Sequence, residues 1–292
     1  MTEARLAVGV IGVGRAGSVL AAALVRAGHT VTGVHAVSRR SQERAAEMLP
    51  DAPVVPVPEV FRRADLVLIT VPDDELPGFV AAAAAEGWVR QGQFVLHTSG
   101  RYGIGVLEPL LAHGALPMAL HPVMTLNGRP QDVDRLVGCP FGVTAPEQLK
   151  TAAAALVVEM GGEPMFVAEE RRSLYHAALA HSANHMITLV AESMDLLRLA
   201  GVDHPDRMLG PLLSAALDNA LAYGDKALTG PVSRGDAGTV AAHLAELAAV
   251  DAAMADAYRA LARRTADRAL AAGTLDPELA SRLLDVLAGG DS

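Results

Sequence analysis

A glycine-rich turn near the start of the chain limits the possible folds more than any other feature. The apolar run 6–11 leads directly into Gly12-Val-Gly14-Arg-Ala-Gly17 and then into a helical pattern. The first glycine of such a turn permits a tight reversal, the second lets the backbone approach a pyrophosphate, and the third lets helix and strand pack closely. The N–H groups of Arg15 and Ala16, at the helix start, favour an anion. The spacing therefore predicts a dinucleotide-binding strand–turn–helix unit with these five residues at the phosphates.

The two halves of the chain carry different patterns of secondary structure. Up to residue 167, short apolar runs alternate with helical stretches, which is typical of an α/β Rossmann domain with a mostly parallel, doubly wound sheet. Residues 168–292 predict an all-α domain. Its first helix, 171–200, is apolar around most of its circumference, so we expect it to be buried, and another helix is predicted at 237–272. Two domains, 1–167 and 168–292, that share a cleft are the expected organisation.

The composition excludes several classes of protein. With 24 Lys and Arg against 33 Asp and Glu, the net charge is −9, which argues against a nucleic-acid partner. Hydrophobic residues make up 51% of the chain, too many for a disordered protein, yet no apolar stretch is long enough to span a bilayer. A single cysteine, Cys139, leaves no partner for an intrachain disulfide. We therefore expect a cytoplasmic globular protein without a membrane anchor.

The residues after the second predicted strand indicate which dinucleotide binds. NAD-specific sites place Asp or Glu there for the ribose 2′-hydroxyl, whereas this chain has Ser38, Arg39 and Arg40 and no acid. Guanidinium groups pair with a 2′-phosphate, so the pattern favours NADP(H); the alternative is that both arginines only cap an exposed helix. The ends of later strands are also expected to contact the coenzyme. Those predicted contacts are Val71, Pro72, Thr98 and Ser99.

Three polar clusters lie in apolar surroundings and are candidates for chemistry. His97 and His121 each begin a cluster that follows a predicted strand, at the sheet edge where α/β proteins bind ligands. In the long helix, His181 and Asn184 share one face, and burying such groups is costly unless they line a cleft. His181 and His185 have the spacing of metal ligands, but no third ligand is apparent and no metal is predicted. We predict proton donation by His121 or His181, and orientation of the substrate or nicotinamide by Asn184.

A polar loop in the second half of the chain suits a carboxylate ligand. The segment Thr229-Gly-Pro-Val-Ser233-Arg234-Gly-Asp236 combines hydroxyl groups with a guanidinium and exposed N–H groups. We predict that Arg234, with Thr229 and Ser233, anchors the carboxylate of a small substrate. Asp236 is expected to cap the helix that follows. The alternative is that the loop only connects two helices.

The chain as a whole resembles a known bacterial family. The resemblance depends on the glycine turn, on HTSG and HP after two strands, on HSANH in the long helix and on ALTGPVSRGD, in that order. The family joins a Rossmann-like domain to a helical domain of unknown function. It is similar to the 6-phosphogluconate dehydrogenase superfamily, which includes pyrroline-5-carboxylate reductase, prephenate dehydrogenase and ketopantoate reductase.

The resemblance implies a fold and several roles. The expected fold is that of an NADP(H)-dependent reductase, with a 6-phosphogluconate-dehydrogenase-like helical domain that pairs into a homodimer. By motif, Gly12, Gly14 and Gly17 would hold the pyrophosphate. Ser38 with Arg39 would hold the 2′-phosphate, and Asn184 would match an asparagine that the superfamily keeps in its cleft.

One position departs from that superfamily. Its hydroxyacid dehydrogenases and ketopantoate reductases carry a lysine one turn before the helix asparagine, where this chain has Ala180. A hydride that reaches a carbonyl creates an oxyanion that needs a donor, so His181, His121 or Thr229 would have to serve, unless the substrate is an imine that is already protonated. The sequence thus predicts an NADPH-dependent reductase of a small carboxylate-bearing 2-oxo acid or imine. A ketopantoate reductase-like enzyme and a non-catalytic NADP(H)-binding sensor or scaffold dimer are the alternatives.

Overall fold

The computed structural model describes residues 5–289, which form two compact units that divide within one long helix, between residues 183 and 184. The first unit alternates strands with helices, as its sequence pattern predicts. In chain order these are β1 (Ala7–Ile11), α1 (Arg15–Arg26), β2 (Thr30–His35), α2 (Arg39–Met48), α3 (Val57–Arg63), β3 (Leu66–Ile69), α4 (Leu76–Ala85), β4 (Phe94–His97), α5 (Glu108–Leu111), β5 (Leu116–Pro122), α6 (Gln131–Asp134), β6 (Pro140–Thr144), α7 (Lys150–Glu159) and β7 (Glu163–Phe166). The sequence did not predict α3 or α6, and both are short.

The strands form one sheet in the order β2-β1-β3-β4-β5-β6-β7. Neighbours run parallel except for β5 and β6, which are antiparallel, so the predicted mostly parallel sheet is confirmed. Ile11, Ile69 and His97 lie in register across β1, β3 and β4, and the residues that follow them therefore leave the sheet side by side. The chain passes from β2 on one side of β1 to β3 on the other, which makes the carboxyl end of β1 the switch point where open α/β sheets bind ligands.

Apolar side chains fill both faces of this sheet. Val8 and Val10 of β1 point into one core, where they meet α1, whereas Ile11 and Val67 point into the other, where they meet α3 and α4. This alternation along each strand follows from the two-residue period of the extended backbone. Helices on both faces bury the sheet, as a doubly wound parallel sheet requires.

The second unit is all-helical, as predicted. It contains the end of α8 (Arg172–Leu199), then α9 (Pro205–Tyr223), α10 (Ala237–Val250), α11 (Ala252–Ala271) and α12 (Pro277–Leu287). Gly201 follows α8 with φ of +85°, the left-handed conformation that ends a helix. The prediction of a single helix at 237–272 is wrong, because the helix is interrupted at Asp251. The extended backbone of Asp251 separates α10 from α11, and its carboxylate caps α11 by accepting the N–H of Ala253 at 2.8 Å.

The long helix α8 departs from its predicted burial. Of its residues only Arg172 is buried, whereas Leu174 and Ile187 are 64% and 63% exposed. Helix α9 likewise exposes Leu212 and Leu221. An apolar circumference thus indicates contact area that this single chain does not cover.

Among residues 5–289, no helix has both the length and the hydropathy needed to cross a membrane.

Candidate functional site

The glycine turn after β1 adopts a conformation that only its sequence allows. Gly12 has φ of +88°, and a Cβ at Gly17 would overlap the carbonyl oxygen of Gly12 and the hydroxyl of Thr70. That hydroxyl donates to the carbonyl of Gly12 and so ties the end of β3 to the turn. Around Gly14, by contrast, a Cβ would meet no atom within 4 Å. The turn is therefore closely packed at Gly17 and open to solvent at Gly14, where a phosphate would approach.

The start of α1 adds unused donors to this open side. Gly14 occupies the N-cap position without a side-chain cap, and the first turn of α1 carries no acidic residue. The first N–H groups of a helix have no intrahelical acceptor, and the helix dipole makes them an anion site.

A cavity of about 530 Å³ lies over this edge of the sheet and is lined by half of the predicted coenzyme residues. Its lining includes Gly14, Arg15, Ala16, Val71, Pro72, Thr98 and His121. Thr70 and a loop formed by Met124, Thr125 and Leu126 complete the wall. The register of the strands explains why these residues line one cavity. Strands β1, β3 and β4 end at the same level of the sheet, and β5 continues as far as Pro122.

The arginines at the start of α2 differ in their contacts. Ser38 caps the helix by accepting the N–H of Ser41 at 3.1 Å, and Arg39 pairs with Glu43 at 2.9 Å in a fully exposed position. The residue that caps the helix is thus Ser38, and the predicted roles of Arg39 and Arg40 stay predictions. Arg40 is exposed, and one turn later the guanidinium of Arg44 lies over the backbone of Gly128.

Arg44 is a candidate that the sequence analysis missed. A Cβ at Gly128 would lie 2.8 Å from Arg44 Nε and 3.1 Å from Arg15 Cα, so both arginines border the same loop at the helix start. The i, i+4 spacing of Arg40 and Arg44 was the available signal, since it places both on one face of α2.

The loop over the cavity is held by a buried carboxylate. Asp132 is 2% exposed, and its Oδ2 accepts the N–H groups of Asn127, Gly128 and Arg129 at 2.7, 2.9 and 3.3 Å. Burial alone would raise the pKa of this carboxyl, but the backbone donors and Arg135 outweigh it and hold the pKa below its usual value. The loop that lines the cavity therefore has a fixed shape.

His97 is a structural histidine at the end of β4. Its Nε2 lies 2.8 Å from the carbonyl of Gly103, which can only accept, and its Nδ1 accepts the N–H of Ser99 at 3.2 Å. Burial, together with the charge of Arg172, lowers the pKa of His97 to about 4. Ser99 is buried as well, and its hydroxyl accepts the N–H groups of Arg101 and Tyr102.

His121 joins the cavity to a second polar group. Its Nδ1 lies 2.9 Å from the hydroxyl of Tyr175, and the two rings meet edge to face at 5.7 Å. Burial and then the charge of Arg172 lower the pKa of His121 to about 4, with smaller effects from His176 and His97. His121 is therefore neutral at pH 7 and offers a hydrogen bond from a neutral imidazole rather than a proton from an imidazolium.

Arg172 is a buried cation behind this pair. Its guanidinium donates to the carbonyls of Ser99, of Tyr102 at 2.9 Å and of Gly142 at 3.0 Å. Burial lowers the pKa of Arg172, but guanidinium stays charged in proteins. Within residues 5–289, Asp and Glu form no ion pair with it, so its positive charge reaches the neighbouring rings. Neither Arg172 nor Tyr175 was predicted from the sequence to be a site residue.

The remaining predicted site residues are exposed. They are His181, Asn184, Thr229 and Arg234. Ser233 is buried and donates to the carbonyl of Gly230 at 3.1 Å. Asp236 caps α10 by accepting the N–H and the hydroxyl of Thr239 at 3.1 and 2.8 Å, which confirms its predicted cap. The assignments of the four exposed residues to substrate binding stay predictions.

Comparison with known proteins agrees with the two-part organisation. Residues 1–122 match the model of a Rossmann-like domain, and residues 139–265 match that of a domain of unknown function, DUF2520. A comparison with curated proteins finds no match.

Solved structures share the fold at low identity. A candidate NADP oxidoreductase from Bacteroides fragilis has a TM-score of 0.76 and 22% identity over 90% of this chain and 98% of its own. An imine reductase from Pseudomonas sp. has a TM-score of 0.63 and 20% identity over 97% and 100% of the two chains. A 1-pyrroline-5-carboxylate reductase from Streptococcus pyogenes has a TM-score of 0.60 and 15% identity over 91% and 98%.

Proposed function

We propose that this chain, a member of the family that joins a Rossmann-like domain to a DUF2520 domain, is an NADP(H)-dependent reductase of a small carboxylate-bearing 2-oxo acid or imine. One observation carries the proposal. A single cavity gathers the glycine turn, the end of β3 and a neutral histidine at the end of β5. A phosphate-binding turn and a hydrogen-bond donor in one cavity are what reduction of a polar double bond needs.

The residues at this edge fit a dinucleotide with a 2′-phosphate. The backbone is open above Gly14, and the first N–H groups of α1 are available for the pyrophosphate. No acid follows β2, and Arg40 and Arg44 would hold the 2′-phosphate, with Arg39 tied to Glu43. When bound, NADPH supplies a hydride to the substrate.

The protonation state of His121 shapes the choice of substrate. A neutral imidazole can polarise a C=O or C=N bond by donating a hydrogen bond, as neutral histidines do in other enzymes. It is a weak proton donor, so an imine that already carries its proton demands less of the site than an oxo acid does. Similar structures include those of an imine reductase and a pyrroline carboxylate reductase, which supports this class. The roles of His181, Asn184, Thr229 and Arg234 at the substrate rest on the sequence alone.

Coenzyme binding tests the proposal directly. By calorimetry, wild-type protein is expected to bind NADPH more tightly than NADH. Arg44→Met should weaken NADPH binding by about 10- to 100-fold and leave NADH binding unchanged, because only the 2′-phosphate contact is lost. Arg62→Met, which removes an exposed partner of Glu59, is the matched control and should change neither affinity. Absence of heat with either coenzyme would refute the proposal.

Turnover separates an enzyme from a sensor. NADPH oxidation is followed with pyruvate and ketopantoate as oxo acids and with pyrroline carboxylate as the imine. Faster oxidation with the imine is the expected result. Tight NADPH binding without oxidation of any of the three would favour the non-catalytic sensor.

We also propose that the apolar faces of α8 and α9 pair with those of a second copy of the chain. Leu212, Leu217 and Leu221 of α9 are 63%, 49% and 80% exposed, although most of the stability of a helix in a protein comes from packing its apolar face. A second copy offers the same faces and can bury them symmetrically.

Light scattering after gel filtration tests the pairing. Wild type should have twice the chain mass, and Leu217→Glu combined with Leu221→Glu should shift it to the monomer. Val158→Glu, at an equally exposed position of α7, is the control and should stay dimeric. A monomeric wild type would contradict the pairing.

A further inference from the structure

Two glycines make room for the Tyr175–His121 pair. A Cβ at Gly142 would overlap the Tyr175 hydroxyl, so only glycine at this position lets the phenol pack against β6. A Cβ at Gly100 would lie 2.9 Å from His121 Nε2 and 2.6 Å from His176 Cδ2, so a side chain at this position would crowd Nε2. The two glycines thus permit a close contact at Nδ1 and keep a side chain at position 100 away from Nε2 of His121, a residue that lines the cavity.

The surroundings of the phenol decide which partner donates. The Gly142 backbone lies beside the phenol oxygen and lowers the pKa of Tyr175, but among residues 5–289 the hydroxyl forms one hydrogen bond, that to His121 Nδ1 at 2.9 Å. The guanidinium of Arg172 stands 5.4 Å from the centre of the Tyr175 ring and favours negative charge on that oxygen. Burial opposes both effects and raises the pKa of Tyr175, so the phenol keeps its proton. Since a protonated phenol needs an acceptor, its proton is directed at Nδ1 of His121, the acceptor within hydrogen-bond reach.

We propose that Tyr175 is a positioning residue: its hydroxyl donates to Nδ1 of His121 and thereby fixes the single imidazole proton on Nε2, the nitrogen left to hydrogen-bond the substrate. The inference deepens the proposed function and rests on it. A neutral histidine has two tautomers, and only the one with the proton on Nε2 presents a donor on the side away from Tyr175. When the tautomer is already fixed, substrate binding does not have to supply the free energy that would otherwise shift the tautomer equilibrium.

The nitrogen NMR spectrum of isotope-labelled histidine tests the tautomer without a substrate. In wild type, His121 should show a protonated Nε2 and a hydrogen-bonded acceptor Nδ1. In Tyr175→Phe, which keeps the ring packing, the Nδ1 signal should move to that of an unbonded acceptor. A wild-type His121 protonated on Nδ1 would overturn the inference.

A second Tyr–His pair in the chain supplies the matched control. Tyr258→Phe removes a hydrogen bond of the same 2.9 Å length, to His243, and should shift the His243 signal while leaving the His121 signal unchanged. A shift of the His121 signal in this variant would mean that the change is not local.

Kinetics tests the role in catalysis. With whichever of the three compounds wild type reduces, Tyr175→Phe should lower kcat by about 10- to 100-fold, as loss of a supporting hydrogen bond does. The affinity for NADPH should stay unchanged, and Tyr258→Phe should retain wild-type kcat. An unchanged kcat in Tyr175→Phe would refute the positioning role.

The two proposals fail in different ways. If wild type does not bind NADPH, the proposed function fails and this inference falls with it, whatever the tautomer. If NADPH binds and is oxidised but His121 carries its proton on Nδ1, only the positioning role fails.

Discussion

Two Tyr–His pairs of nearly identical geometry occur in the two units. His121 and Tyr175 approach at 2.9 Å with their rings 5.7 Å apart and 89° to each other, and His243 and Tyr258 approach at 2.9 Å with rings 5.8 Å apart at 86°. The hydrogen bond and the edge-to-face packing are therefore common to both. Their surroundings differ.

The first pair is half-buried and lies beside the buried cation of Arg172. Arg172 and two further imidazoles act on His121, whose pKa falls to about 4. The second pair joins α10 to α11 and leaves His243 exposed, and burial alone raises the pKa of Tyr258. The geometry of two side chains thus identifies a hydrogen bond, whereas burial and a neighbouring buried cation distinguish a candidate site.

Removing the buried charge should have the largest effect. Arg172→Met is expected to lower the free energy of unfolding by about 3–5 kcal/mol, because the carbonyls of Ser99, Tyr102 and Gly142 all lose their donor in a buried place. Urea unfolding followed by circular dichroism measures the change. Arg172→Lys should recover part of it, since the charge is kept with fewer donors.

An exposed arginine of the second unit is the control for this prediction. Arg268 pairs with Asp225 at 2.6 Å, but both side chains are in contact with solvent. Arg268→Met should therefore cost about 0–1 kcal/mol. Equal losses in the two variants would remove the distinction between the two regions.

The sequence predicted the parts of the fold that depend on local patterns. The alternation of short strands with helices up to residue 167 was predicted from the apolar pattern, and the glycine turn was predicted because each glycine has a separate steric task. The break at Asp251 was missed although an aspartate after an apolar run is a helix-capping signal. The helical period of apolar residues continues on both sides of Asp251, so the capping signal was not recognised.

The sequence could not predict what distant segments bring together. Arg172 follows three charged residues and looks like part of a solvated surface, yet its acceptors come from Ser99, Tyr102 and Gly142, up to 73 positions away. Tyr175 was visible in the sequence, but its partner lies on another element, 54 positions away. Local spacing carries no record of such contacts.

Acidification should lower the free energy of unfolding of the first unit through protonation of His97. The pKa of His97 is about 4 in the folded protein and about 6.5 in the unfolded chain, so the unfolded state binds the proton first as pH falls. The stability that this neutral histidine contributes is complete above pH 6.5 and is lost as the pH falls through 4. The expected loss is about 3 kcal/mol at full protonation.

The fluorescence of Trp88 measures this loss in the first unit. Trp88 is the only tryptophan in the sequence and packs against Phe61 at 6.0 Å, in the core on one face of the sheet. His97→Gln removes the titrating group, so urea midpoints recorded from pH 7 down to pH 4 should fall less steeply in this variant, even though its stability at pH 7 is reduced by the lost contacts. If wild type and His97→Gln fell in parallel, the acid sensitivity would have to come from other groups, and the neutral, buried state of His97 would be wrong.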